Sequence, residues 1–208
     1  MFNICQKCGE YRVDKTILAD ESVAVCPVCG FRQEFLMLPL FIVTGASCTG
    51  KSTVALEMAA KQDRVVVMEA DTLWRAEFDQ PENNYRDFRE TWLRLCKNIG
   101  QVGKPVALFG SGIPAHYEQC TEIRYFSTIH YIALVCADAE IEKRLRKRPI
   151  WRGSGTNAFV EQQVEFNRWL IANATETEPP ISLVDTSTIS IDDTVKAVRL
   201  WIDERINL

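Results

Sequence analysis

The 208-residue sequence contains no apolar run able to cross a bilayer. The longest, Phe35 to Val43, is broken by Pro39 and falls far short of the roughly 20 residues that a spanning helix requires. The first residues lack the basic flank and apolar core of a secretion signal, so a cytoplasmic location is the expectation. Positive charge is not in excess either: 24 Lys and Arg stand against 28 Asp and Glu, a net charge of -4, which argues against a large nucleic-acid-binding face. Histidine is scarce. His116 and His130 are isolated, and neither belongs to a ligand or catalytic pattern. Internal repeats and low-complexity tracts are also missing, which excludes a repeat architecture. What remains is a globular chain, 47% hydrophobic, with ample material for a core and room for one domain plus a small module.

The eight cysteines are unevenly spread. Cys48, Cys96, Cys120 and Cys136 are scattered singly, whereas Cys5-x-x-Cys8 and Cys26-x-x-Cys29 form two knuckles 17 residues apart. Paired C-x-x-C knuckles at that separation match a four-cysteine zinc ribbon, with Gly9 and Gly30 relieving each turn. Two disulfides, or a redox pair, are the competing readings, and a reducing cytosol disfavours the first. A closed four-thiolate site is structural rather than catalytic, and so short a segment with few large apolar side chains needs the metal to stay folded. The ribbon is assigned to residues 1–38, with short strands at Tyr11 to Val13, Val23 to Val25 and Phe31 to Phe35.

After the joint at Leu36 to Pro39, apolar runs alternate with helical patterns through residues 39–208. The runs are Phe41 to Thr44, Val65 to Glu69, Val106 to Phe109, Tyr131 to Cys136 and Ser182 to Val184. Helices are expected at Ser52 to Lys61, Asn84 to Ile99, Ala139 to Lys147, Phe159 to Ala172 and Asp192 to Ile206, with Asp192 as the N-cap of the last. Five buried strands separated by helices specify a parallel sheet covered on both faces, a three-layer α/β/α sandwich.

The first strand leads into Gly45-Ala46-Ser47-Cys48-Thr49-Gly50-Lys51-Ser52, which fills every fixed position of the phosphate-binding pattern G-x-x-x-x-G-K-[ST]. Glycines let the backbone curl so that successive N–H groups face phosphate oxygens, Lys51 sets an ammonium against the outer phosphates, and Ser52 offers its hydroxyl to Mg²⁺. Thr53 extends the set into the helix, whose unpaired N–H groups and positive dipole end add to the attraction. Cys48 reads as a passive small residue; a redox role would need an exposed, electropositive thiol. No N-K-x-D base-reading sequence accompanies the loop, against a GTPase, and no apolar strand ends in paired acids as in motor ATPases.

Four pieces together resemble the small-molecule P-loop kinases, the superfamily of nucleoside monophosphate, shikimate, gluconate and chloramphenicol kinases. They are Gly45 to Ser52, the strand end Glu69-Ala70-Asp71, the segment Ala137 to Arg148 with Glu140, Arg144, Leu145 and Arg148 in an E-x-x-x-R-L-x-x-R frame, and Val184-Asp185-Thr186-Ser187. The resemblance implies the P-loop NTPase sheet order 2-3-1-4-5, with ATP and Mg²⁺ as cofactors. It also implies a lid near 148–158, with Gly153 and Gly155 as hinges. Asp71 then accepts or orients the acceptor hydroxyl, although capping a helix near Thr72 is a compatible alternative. Lys51, Arg144, Arg148 and Arg152 supply positive charge around the transferring phosphoryl group. The rest of the Lys143 to Arg148 run reads as a solvated face. Glu69 points to the opposite face from a neighbour one residue away and is not expected to share the task of Asp71. Asp185 and Ser187 fall where related kinases wall the adenine pocket.

The acceptor site is expected over Thr72 to Trp92, where Tyr85, Phe88 and Trp92 share a helix face that reads mainly as core, leaving Arg75, Arg86 and Arg89 as candidate contacts. Gly110-Ser111-Gly112-Ile113-Pro114 stands where adenylate kinases carry D-G-F-P-R; without that acid and arginine, a standard nucleoside monophosphate acceptor is in doubt. Ser111 and Gly112 remain available to line the pocket. The leading reading is an ATP-dependent phosphotransferase acting on a small nucleoside, nucleotide or other hydroxyl-bearing metabolite. An ATP-gated protein whose ribbon contacts a protein or nucleic acid is the second reading, and a polynucleotide-end kinase is the third. The near-neutral ribbon disfavours both nucleic-acid versions, which would call for a basic track to the pocket.

Overall fold

The computed structural model describes residues 2–61 and 64–206. Two sheets are present. The first is antiparallel and small, with β1 (Thr16–Leu18), β2 (Val23–Val25) and β3 (Arg32–Glu34) in sequential order. The expected strand at Tyr11 to Val13 is not formed. The first knuckle closes tightly on itself, Cys5 N–H donating to the Glu10 carbonyl and Arg12 N–H to that of Asn3, so Tyr11 makes only a lone bridge to Ile4. The pairing strand starts later, with Thr16 opposite Val25.

The second sheet holds β4 (Leu40–Thr44), β5 (Val66–Glu69), β6 (Val106–Phe109), β7 (Ile129–Val135) and β8 (Ile181–Asp185). Its spatial order is β5-β6-β4-β7-β8, with every pairing parallel. This is the expected 2-3-1-4-5 arrangement. The helices are α1 (Lys51–Ala59), α2 (Arg86–Gly100), α3 (Pro114–Glu118), α4 (Asp138–Arg146), α5 (Asn157–Asn173) and α6 (Ile191–Ile206).

Period-two alternation along β4 divides the core. Leu40 and Ile42 face Trp92, Leu93 and Cys96 of α2 and Leu170 of α5, whereas Phe41 and Val43 face Val54, Ala55 and Met58 of α1 and Val198 and Trp201 of α6. Each face is thus covered, as an all-parallel sheet requires. The cap of α6 differs from expectation: Ser190 Oγ accepts from Asp193 N–H at 3.1 Å and donates back to the Asp193 carboxylate. Asp192 is therefore inside the first turn, where its charge favours the helix N-terminus without capping it. The short helix α3 carried no periodic signal of its own length. Among the described residues, no helix is long and apolar enough to cross a membrane.

Candidate active site

β4 is the central strand, flanked by β6 and β7, and its carboxyl end delivers the chain into the glycine loop. Gly45 cannot be replaced without distortion: its φ is +144°, and a Cβ there would lie 2.4 Å from the Leu134 carbonyl oxygen of β7. Cys48 adopts a φ of +69°, left-handed despite its side chain, and Gly50 follows at +105°. The loop is braced from within and from outside. Thr49 Oγ1 donates to the Ala46 carbonyl at 2.9 Å, Thr186 Oγ1 donates to that of Thr49 at 3.0 Å, and Ser47 N–H donates to Gln163 of α5 at 2.7 Å. α1 begins with no side-chain cap at Gly50 and no acid in its first turn, so no protein carboxylate competes for its N-terminal N–H groups. Lys51 Nζ donates to the carbonyls of Gly45 and Ala46 at 2.7 and 2.8 Å. Burial pushes the Lys51 ammonium down to about 8, against the opposing pull of Asp71.

A cleft of about 820 Å³ opens over this loop and is bordered by Ser47 to Val54, Glu69, Asp71, Arg144, Arg148, Arg152 and Thr186. Four cations against two carboxylates suit a polyphosphate. Within the basic run, Arg144 and Arg148 are half-buried toward the cleft, while Lys143, Arg146 and Lys147 are exposed. Arg144 is also a brace: its guanidinium meets Glu140 at 3.0 Å and the Cys48 carbonyl at 3.1 Å, holding the loop where its backbone is left-handed. Arg152 rides on an exposed turn, over the Trp151 ring at 5.4 Å. Asp185 and Ser187 do not border the cleft; Ser187 N–H and Oγ both donate to the Asp185 carboxylate, which lowers that carboxyl, and Ala137 N–H donates to Ser187 Oγ. Thr186, between them, is the residue that reaches the loop.

Asp71 is set by its neighbours rather than by the strand itself. β5 ends at Glu69, and residues 70–73 form a 3-10 turn. Trp92 Nε1 donates to the Ala70 carbonyl at 3.0 Å, and Gly110 leaves the clearance Ala70 needs, since a Cβ at Gly110 would come within 2.8 Å of the Ala70 methyl. The structure corrects the expectation for Glu69. Alternation sets Glu69 opposite Ala70 and not opposite Asp71, two residues on, and Glu69 borders the cleft beside Asp71, accepting a hydrogen bond from Ser52 Oγ. Ser52 and Glu69 therefore present hydroxyl and carboxylate oxygens together, the hard donors that Mg²⁺ takes.

Asp71 and Ser111 also border a second cavity, of about 290 Å³, formed by Trp74, Tyr85, Phe88, Arg89 and Trp92 with Gly112, His116, Tyr117 and Phe166. Gly112 is required there because a Cβ would sit 2.9 Å from the Tyr117 ring. Of the three candidate arginines only Arg89 enters: Arg75 lies over the Phe78 ring and Arg86 pairs distantly with Glu90, both exposed. Tyr85, Phe88 and Trp92, read mainly as core, line this cavity. His116, to which the sequence gave no pattern, lies 3.1 Å from Arg89 Nη2. Burial and then the Arg89 charge push its imidazole down to about 4, so it is neutral at pH 7 and accepts through Nδ1.

The four knuckle thiols are also gathered. All four Sγ atoms lie within 4.8 Å of one another, with Cys5 to Cys29 at 3.6 Å and Cys8 to Cys26 at 3.8 Å. Four sulfurs arranged tetrahedrally about zinc at about 2.3 Å stand roughly 3.8 Å apart, and a disulfide would need about 2 Å. The donor set fits zinc. Backbone N–H groups, Cys8 first, hold the Cys5 thiol down to about 6, the direction that favours a metal-binding thiolate.

No family model matches the chain, and no curated protein matches it in sequence. Solved structures do share its fold. A sugar kinase from a Janibacter species superposes with a TM-score of 0.59 at 16% identity, over 80% of this chain and 95% of that one. A gluconokinase from Sinorhizobium meliloti gives 0.55 at 17% identity, over 82% and 95%. The fold is that of the P-loop kinases.

Proposed function

We propose that the protein is an ATP-dependent phosphotransferase acting on the hydroxyl of a small metabolite, with residues 39–208 as the catalytic domain, 148–158 as its lid and 1–38 as a structural zinc ribbon. One observation carries this reading: Asp71 and Ser111 belong to the walls of both cavities, so a carboxylate stands where a polyphosphate cleft meets a separate apolar chamber. Gly45 to Thr53 would hold the phosphates of ATP, and Ser52 and Glu69 would hold Mg²⁺, which would supply neutralising charge there. The acceptor enters the smaller chamber with its hydroxyl at Asp71. Asp71 takes or orients the hydroxyl proton as that oxygen bonds to the γ-phosphorus. The bond to the β-phosphate oxygen breaks and ADP leaves. Lys51, Arg148 and Arg152 face the charge spread over the transferring oxygens, and Arg144 keeps the loop in register.

The nucleic-acid readings find no support in the ribbon. Of its four Lys and Arg, Arg12 pairs with Asp14, Arg32 pairs with Glu21, Lys15 is buried and Lys7 is exposed, which is no basic cluster. The test is ADP release with Mg-ATP across nucleosides, sugars, sugar acids and ring alcohols, repeated with Asp71→Asn. Transfer should fall by about 10²–10⁴ in the variant while ATP affinity stays within a few fold. Equal turnover in the variant removes Asp71 from the chemistry, and no turnover with any acceptor overturns the phosphotransferase reading.

A further inference from the structure

The ribbon and the acceptor chamber share one short segment of chain. It runs through α3 and then through a 3-10 turn, Thr121–Tyr125. At its start, His116 and Tyr117 line the chamber. At its end, Tyr125 packs edge-on against Phe2 and Phe35, and Arg124 Nη2 donates to the Val13 carbonyl. Only Glu118, Gln119 and Cys120 separate the chamber wall from that turn. The wall has little stability of its own, because α3 is five residues long and no side chain caps its N-terminus.

The support runs both ways. Phe2, Ala24, Phe35 and Tyr125 form one buried cluster, so a residue of the turn completes the core of the ribbon. The ribbon in turn covers a charge pair: the Lys97 and Glu122 side chains are 2% and 4% exposed, beneath Asn3 Oδ1 at 2.8 Å from Lys97 Nζ and the Phe2 ring at 5.3 Å. Phe2 and Asn3 stand just before the first cysteine knuckle, and Phe35 follows the second. A segment with so small a core does not hold these positions without metal on its thiols. Lifting it would wet the Lys97–Glu122 pair, and a solvated pair holds little. Glu90 still grips the start of the turn, accepting from Thr121 and Glu122 N–H, so the result is local opening rather than unfolding. The phosphate loop takes its braces from Thr186, Gln163 and Arg144, all outside the ribbon.

We propose that the four-cysteine ribbon is a positioning module for the acceptor chamber. With metal on its thiols it pins the turn at Arg124 and Tyr125 and so keeps His116 and Tyr117 in the chamber wall. Loss of the metal opens that wall and leaves the phosphate loop intact. Zinc occupancy thus governs one half of the site and not the other. The proposal rests on the phosphotransfer reading only for the chamber's role as the acceptor site; the linkage itself is structural.

Two cysteines supply the readout. Cys120 and Cys136 are each 2% exposed; Cys120 joins α3 to the turn, and Cys136 follows β7 in a cluster with Ala46 of the phosphate loop. The full-length protein, zinc-loaded or stripped with a chelator under reducing conditions, is freed of chelator and reductant and pulse-labelled with iodoacetamide. Labelling is read residue by residue by mass spectrometry, and ATP affinity is measured by titration calorimetry on unlabelled portions. Metal removal should speed alkylation of Cys120 by about tenfold or more and leave Cys136 unchanged, with ATP affinity within about threefold. Tyr125→Ala in the zinc-loaded protein should reproduce the Cys120 opening while zinc stays bound. Tyr125→Phe, which keeps the ring, should not. Equal labelling of Cys120 in the two metal states overturns the proposal. Parallel opening of Cys136, or loss of ATP binding, overturns it as well, because the whole domain then depends on the ribbon. Zinc-dependent labelling of Cys120 alone, with no ADP release from any acceptor, supports the linkage and rejects only the phosphotransfer reading.

Discussion

Lys51 carries a pH dependence that reports directly on the phosphate loop. Its ammonium is held by two carbonyls, and burial pushes it down to about 8 from an ordinary value of 10.5. A polyphosphate laid against the same nitrogen favours the charged form, so binding must raise the value again. The sign follows from linkage: above pH 8 the free protein has lost the proton that the complex retains, and ATP binding takes one up from solvent. At pH 7 about nine-tenths of the free lysines are charged, and at pH 9 about one-tenth. ATP affinity should therefore be nearly flat from pH 6.5 to 7.5. It should then fall by about fivefold between pH 8 and 9, equivalent to about 1 kcal/mol. The last phosphate proton, which leaves near pH 6, is already gone in that range.

Isothermal titration in two buffers of different ionisation enthalpy measures the uptake. It should approach one proton per ATP at pH 9 and about 0.1 at pH 7. Lys51→Ala should bind ATP weakly at every pH, with no uptake. That control also separates Lys51 from Lys97, which burial likewise pushes down to about 8 but which lies against the ribbon. A flat affinity with zero uptake at pH 9 in the wild-type protein would refute the placement of a desolvated Lys51 against the phosphates.

Other consequences are simpler to measure. Gly45→Ala should lower stability by about 2–6 kcal/mol, combining backbone strain with a clash against a carbonyl fixed in the sheet. Gly50→Ala, also at positive φ but with no atom within 4 Å of the added methyl, should cost only about 1–3 kcal/mol. Equal Tm values for the two would contradict the loop geometry. Purified under reducing conditions, the protein should hold one zinc per chain with four sulfur neighbours by X-ray absorption. Chelation should make residues 2–35 protease-sensitive, since Phe2, Ala24 and Phe35 are a small core without metal. A ribbon that resists protease after complete zinc removal would refute that dependence.

Much of the fold was legible because its signals are local. The glycine loop, the two cysteine knuckles and the five apolar runs each occupy a few consecutive residues whose spacing has a direct geometric meaning. The expected order of the five-stranded sheet is the one observed. The misses are non-local or lie where periodicity ends. Glu69 was placed away from the cleft because it was compared with its immediate neighbour, whereas Asp71 lies two residues on and so on the same face of an extended strand. His116 and Arg89 are 27 residues apart, with no motif joining them, and only the fold brings them to 3.1 Å. The stripe of Tyr85, Phe88 and Trp92 was visible, but helical spacing alone does not distinguish a core face from a cavity wall.

The ribbon and the acceptor chamber are joined through α2. Phe88, Arg89 and Trp92 on one stripe of that helix line the chamber. Arg94, Lys97, Asn98 and Gln101, spaced in the same three-four rhythm, hold the N-terminal segment and its partner turn. Lys97 is nearly buried, meets Asn3 at 2.8 Å and Glu122 at 2.5 Å, and its ammonium lies 3.7 Å from the centre of the Tyr125 ring. Phe2 N–H donates to Asn98, Leu36 exchanges two hydrogen bonds with Gln101, and Phe2, Phe35 and Tyr125 pack edge-on. The Lys97–Glu122 pair lies within residues 39–208, and the N-terminal segment meets it through the Asn3 amide oxygen and the Phe2 ring. Glu90 then ties the chamber end of α2 to the amides of Thr121 and Glu122, the same turn that Lys97 and Arg94 grip. On the same helix, Trp92 donates to the Ala70 carbonyl beside Asp71. The four-cysteine segment thus packs on the helix that lines the smaller cavity, while the phosphate loop is braced separately by Thr186, Gln163 and Arg144.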